Sequence, residues 1–257
     1  MKKAIYLSIL AIVTAGCILW RVGGGIGSWF HRGTVDAGET VTVDHETLDD
    51  FTELDMNVDV LDVTIQAGED YSISYSAKEK YCPVYEVKNG KLVVTQSVRS
   101  TGWHIGNNVS GPSEVTLTIP EDVLLKNVDI VSNVGNVNID GIKTERFSAE
   151  LDVGDMEISD AALGDGTVDA DVGNVCLRTV DFGNLNVDAD VGDVKISAVG
   201  NKESYRIGAV ADVGSISIDG EKVKKNPGAG SDVQTGKGEY DLDVDADVGS
   251  IDLTFGN

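Results

Sequence analysis

In the second half of the chain, apolar and polar residues alternate in short bursts that break at a glycine and then resume. In one unit Val168, Ala170 and Val172 take alternate positions, Gly173 and Asn174 interrupt, and Val175 and Leu177 continue. Val187, Ala189, Val191, Val194 and Ile196 repeat the pattern. Alternation with a period of two marks a strand with one buried face. Each unit therefore predicts two strands joined at a glycine corner, with these residues pointing inward. The corner recurs as Asn133-Val-Gly-Asn-Val, Asp152-Val-Gly-Asp-Met, Asp171-Val-Gly-Asn-Val, Asp190-Val-Gly-Asp-Val, Asp212-Val-Gly-Ser-Ile and Asp247-Val-Gly-Ser-Ile. The first four copies start 19 residues apart, the fifth follows after 22 and the sixth after 35. One such unit cannot bury its own apolar face, so the spacing predicts stacked coils. Taken in chain order they lie about 4.8 Å apart, and the last exposes an open strand edge, its core covered by Phe255 or by self-association. Three residues before each glycine stand Ser132, Leu151, Ala170, Ala189, Ala211 and Ala246. This mostly small layer implies close packing.

Upstream, residues 41–43, 56–65 and 71–75 alternate as strands, residues 56–65 as a strand pair or one bent strand. Asn89-Gly90 sits between two such runs as a type I′ hairpin signature. Residues 114–119 read as a strand ended by Pro120, and residues 124–130 lead into the repeats.

The amino-terminal pattern differs. Residues 4–20 carry no charge. As a helix they reach roughly 26 Å, enough to cross a hydrocarbon core of about 30 Å with local thinning. Lys2 and Lys3 favour an inside amino terminus, and five glycines between Gly23 and Gly33 suit a connector. Val13-Thr-Ala-Gly-Cys17 offers a second reading, a lipoprotein signal anchored through Cys17, and a cleaved secretory signal is a third. All three place the remainder outside the cytoplasm. The expected fold is all-β: a single-stranded β-solenoid with coils of about 19 residues, preceded by antiparallel strands and an N-terminal transmembrane helix. The expected division is anchor and connector over 1–33 and an extracytoplasmic domain over 34–257, with irregular strands in 34–125 and repeats in 126–257.

Charge narrows the partners. Against 20 basic side chains stand 43 acidic ones, for a formal charge of −23. Such a surface repels nucleic acid and anionic headgroups. Three cysteines, Cys17, Cys82 and Cys176, are too few for a disulfide framework; the alternatives are free thiols and a single Cys82–Cys176 bridge.

The repeats place Asp152, Asp171, Asp190, Asp212 and Asp247 two residues before each glycine. Glu150, Asp169, Asp188 and Asp245 form a second column beside them. One reading is Ca²⁺ held by Asp169, Asp171, Asp188 and Asp190, because the ion takes several carboxylate oxygens. The other is an Asx turn in which each carboxylate accepts the N–H of the corner glycine. Asn133 favours the turn, since an amide caps a corner but brings no charge to a metal. Residues 97–113 have no period, and Trp103 with His104 there reads as a recognition tip or an exposed hairpin extension. His31, His45 and His104 are far apart, and no nucleophile elbow or phosphate loop is present.

Residues 40–257 resemble the bacterial "putative adhesin" domains of unknown function. The resemblance rests on Met56-Asn-Val-Asp-Val-Leu-Asp-Val-Thr-Ile, Asn89-Gly90, Val115-Thr-Leu-Thr-Ile-Pro120 and the corners at Gly135, Gly154, Gly173 and Gly192. It implies β-solenoids on the outer face of the cell membrane and carries over no functional residues. Valine precedes the corner glycine here, where serine or threonine is frequent. The function expected is a non-catalytic surface binding or scaffolding module without cofactor. Its partners would be the membrane through the N-terminal helix, a cell-surface glycan or protein, and other copies of itself. An envelope-stress regulatory module and a carbohydrate-active enzyme are the alternatives.

Overall fold

A computed structural model describes residues 38–97, 113–223 and 231–256. The apolar segment 4–20, Cys17 and the Trp103–His104 loop lie outside the described residues. Among the described residues no helix is long and apolar enough to cross a membrane.

Residues Glu39–Asn257 form one compact unit built from two β-faces around a shared core. One face runs, strand beside strand, through Lys91–Gln96, Glu53–Val58, Asn127–Val134, Lys143–Val153, Ala162–Val172, Leu185–Val191, Tyr240–Val248 and Tyr205–Val213, all parallel. The other runs through Glu114–Pro120, Asp62–Gly68, Val137–Asp140, Met156–Ser159, Val175–Phe182, Val194–Ala198, Ile251–Phe255 and Ile216–Ile218, again parallel. In the middle of the stack partners lie one repeat apart in the chain, as in Met156 beside Val175 and Ala170 beside Ala189. Alternating side chains from both faces fill the interior: Val168, Ala170, Val175, Leu177, Val187, Ala189, Val194 and Ile196 are each at most 1 % exposed.

The order in space departs from chain order at both ends. The sixth corner copy lies between the fourth and the fifth: Asp245 pairs with Asp188 on one side and Val210 on the other. The strands of the last repeat therefore have hydrogen-bonded neighbours on both sides, which corrects the expectation of an open final coil. Gly256 closes back onto the carbonyls of Ala198 and Gly200. At the other end Glu53–Val58 lies between Lys91–Gln96 and Asn127–Val134. Parallel stacking thus reaches back to Glu53, and the expected antiparallel strands appear as end caps. Thr40–Thr47, Ser72–Lys78 and Val84–Lys88 cap one end; Glu221–Lys222 and Ser231–Gly236 cap the other. An outer strand that doubles back leaves no long parallel edge to template another chain.

Local chemistry supports this plan. Asn89 and Gly90 adopt φ of 54° and 75°, as a type I′ turn requires. Residues 56–65 divide between Glu53–Val58 and Asp62–Gly68. The buried Gln96 side chain fixes the bend between these strands: its Oε1 accepts from the N–H groups of Asp59 and Val60, and its Nε2 donates to the carbonyls of Val60 and Tyr81. Cys82 and Cys176 are not bridged to each other.

The small layer is real, and one member is imperfect. Ser132, Leu151, Ala170, Ala189, Ala246 and Ala211 follow one another in register. The Ser132 hydroxyl is buried without a hydrogen-bond partner. An unpaired buried hydroxyl costs about 1 to 3 kcal/mol. Ser132→Ala, which copies the other coils, is expected to raise stability by about 1 kcal/mol in urea unfolding.

Candidate functional site

The corner builds the most repetitive surface of the molecule. Gly173 has φ of 151°, and a Cβ placed there would fall inside contact distance of the Gly154 carbonyl oxygen; Gly154 and Gly192 stand the same way over the coils before them. Glycine is therefore required by the approach of one coil to the next.

The capping expectation fails in its detail. The corner glycine N–H groups donate to the valine carbonyls of the adjacent coil, as in Gly154 to Val172 and Gly173 to Val191, both at 2.9 Å. They are unavailable to the aspartates two residues earlier. The side chain after the glycine, and Asp62 after Leu61 in the first coil, supply the ladder instead. Oδ1 of Asp62, Asn136, Asp155, Asn174 and Asp193 accepts, in turn, from the N–H of Asn136, Asp155, Asn174, Asp193 and Ser250 at 2.8 to 3.0 Å. Carboxylate and amide alternate along this line. Charges therefore sit about 9.6 Å apart instead of about 4.8 Å. At the dielectric of water that reduces repulsion from about 0.9 to about 0.4 kcal/mol per neighbouring pair.

Beside the ladder the alternation breaks. Register pairs join Ala170 to Ala189 and Val172 to Val191, while Asp171 has no such pair. Aspartate and valine then both face out. Val134, Val153, Val172, Val191, Val248 and Val213 follow one another in register and are 45 to 64 % exposed. The expected inward placement of Val172 and Val191 is therefore corrected: the alternation breaks after Ala170 and Ala189, and the valines face solvent. Asp171, Asp190, Asp247 and Asp212 are exposed beside them, with Asn133 and Asp152 half-buried in the same column.

Of the four Ca²⁺ candidates, Asp169 and Asp188 are neighbours on the strand face, and Asp171 and Asp190 stand at the corner. Among the described residues no group of three or more His, Cys, Asp or Glu is placed to hold a metal ion. Glu150, Asp169, Asp188 and Asp245 line up without interruption. Desolvation, then Asp188, Asp171 and Asp190, raise the Asp169 carboxyl above its ordinary 3.8. Desolvation, then Asp188, Asp247 and Asp212, raise Asp245 likewise. Asp241 is held lower by its bidentate pair with Arg206, at 2.6 and 2.8 Å.

A raised carboxyl binds more protons folded than unfolded, so its contribution to stability is present below the unfolded value and lost as pH rises through the folded one. Stability is therefore expected to increase as pH falls from neutrality toward about 4. Asp169→Asn should raise the neutral-pH melting temperature and flatten this dependence; a steeper dependence in the variant would count against the crowding. Asp241 acts in the opposite sense: its contribution is lost as pH falls through its lowered value.

Sequence reasoning missed the valine column and the ladder acceptors. The signal for the ladder was the alternation Asn136, Asp155, Asn174, Asp193. Period-two counting carried straight through the corner and hid the column. Trp103 and His104 remain outside the described residues.

The Toastrack DUF4097 family matches residues 51–254, which contain every corner. The chain belongs to this family. No curated protein matches it in sequence. Among solved structures, the Toastrack chain is similar to a "putative cell adhesion protein" from Clostridium sporogenes at 17 % identity, covering 84 % of this chain and 98 % of that one, with a TM-score of 0.43. It is also similar to a "putative adhesin" from Bacteroides fragilis at 12 % identity, covering 84 % and 97 %, TM-score 0.44. A third is a "putative lipid binding protein" from Parabacteroides distasonis at 13 % identity, covering 84 % and 97 %, TM-score 0.30.

Proposed function

We propose that this Toastrack chain is an extracytoplasmic β-solenoid with one coil per corner repeat, anchored by a single membrane span over residues 4–20, that works as a non-catalytic surface binding or scaffolding module. The valine column carries the reading. Exposed apolar side chains aligned over six coils of a strongly acidic protein are surplus to folding, and contiguous exposed apolar surface marks interaction sites. The strand pairing supports it too, since antiparallel caps at both ends of the stack leave its lateral faces as the surface for a partner.

Two measurements test the reading. Protease added to intact cells should remove the domain while a cytoplasmic control survives; full protection contradicts the address. The purified chain should retain cell-wall glycan, extracellular matrix protein or further copies of itself in a pull-down. Retention of none contradicts the binding role.

A further inference from the structure

We propose that the valine column from Val134 to Val213 is the docking strip for a cationic amphipathic helix of a partner polypeptide. This deepens the binding reading above and rests on it, while requiring no membrane anchor.

The strip is apolar, in register from coil to coil and bordered by acid. Its six valines mark five steps of about 4.8 Å, a length of about 24 Å. An amphipathic helix offers an apolar contact once per turn, at intervals of about 5.4 Å. The mismatch is about 0.6 Å per step and stays at about 3 Å over the whole strip, less than the width of one side chain. Residues on one face of an extended strand recur at about 6.6 Å. A strand laid along the strip is about 2 Å out at each step and loses register by the third. A helix of about 16 residues, at about 1.5 Å per residue, therefore fits the strip, and an extended peptide does not.

Charge selects the sign of the occupant. The aspartate column, with Asp171, Asp190, Asp247 and Asp212 exposed, runs beside the valines. The ladder carboxylates Asp155 and Asp193 are exposed on the other side of the glycines. Lys and Arg stems on the flanks of a docked helix lie along the apolar strip and bring their heads to these carboxylates. A second copy of this chain would bring its own aspartate column against this one, and an anionic lipid surface is repelled by the net charge of −23. A cationic helix offsets the charges of Asp171, Asp190, Asp247 and Asp212, which add to desolvation in raising Asp169 and Asp245.

The test uses the purified full chain and a synthetic Lys/Leu peptide of about 17 residues with leucines at i, i+3, i+4 and i+7 spacing. The comparison peptide has the same composition in scrambled order. Binding is followed by fluorescence anisotropy at about 150 mM salt, and helix formation by circular dichroism. The amphipathic peptide should bind about tenfold tighter than the scrambled one and become helical. The triple variant Val153→Thr, Val172→Thr, Val191→Thr keeps the charge and should lose that preference. Should it fail to fold, the two peptides on the native chain still decide. Equal affinities overturn the proposal, because they reduce the effect to counterion attraction. A chain that ignores both peptides but retains wall or matrix material overturns this inference alone, and one that retains nothing overturns the binding reading as well.

Discussion

Gly173→Ala is expected to lower stability by at least about 3 kcal/mol, measured as the shift in urea midpoint. Two effects add. The left-handed φ of 151° is strained for any residue with a Cβ, and the new methyl would fall on the Gly154 carbonyl oxygen. The obstacle is backbone held by hydrogen bonds on both sides, Gly154 N–H to Val172 and Gly173 N–H to Val191. Relief therefore requires the coils to separate. Gly90→Ala is the control: it also has positive φ, but nothing lies within 4 Å of its Cβ position. That substitution should cost only about 1 kcal/mol. Equal costs at the two sites would show that conformation alone, and not coil contact, dictates the corner.

Removing the last repeat is expected to unfold the domain. A chain ending at Gly238 loses Leu242, Val244, Ile251 and Leu253, each at most 3 % exposed. Burial of four such side chains is worth about 6 to 12 kcal/mol, which rivals the whole stability of a typical domain, about 5 to 15 kcal/mol. The loss is also internal. It leaves Leu185–Val191 and Tyr205–Val213 facing an empty slot, each without its Tyr240–Val248 partner. In a stack built in chain order the same deletion would trim one end and leave a cooperative melt. Circular dichroism of the truncated chain separates these outcomes: loss of the cooperative transition is expected, and a sharp transition would contradict the inserted position.

Much of the architecture was legible because it obeys one period. The alternation through Val168, Ala170, Val175 and Leu177, the Asn89-Gly90 turn and the small layer are local patterns with local causes, and each appears where the pattern put it. What stayed hidden depends on contacts between coils. The direction of the Gly173 N–H follows from the neighbouring Val191 carbonyl. The outward turn of Val172 goes with the break in alternation at the corner, where Gly173 approaches the Gly154 carbonyl of the coil before. The insertion of the last repeat was masked because both final corners read Asp-Val-Gly-Ser-Ile, so either satisfies the fourth coil. One clue was present: Asp193 ends the alternation of Asn and Asp, and both Ser250 and Ser215 follow it without charge.

The order of coils in space decides which strands flank the last repeat. Paired cysteines report it directly. Asp188 is beside Asp245, and Val210 is one strand further on. With a short thiol-to-thiol cross-linker, Asp188→Cys with Asp245→Cys should join rapidly, while Asp188→Cys with Val210→Cys, about 9.6 Å apart, should not. Cross-linking of the second pair in preference to the first would mean that the coils stack in chain order, and would contradict the account.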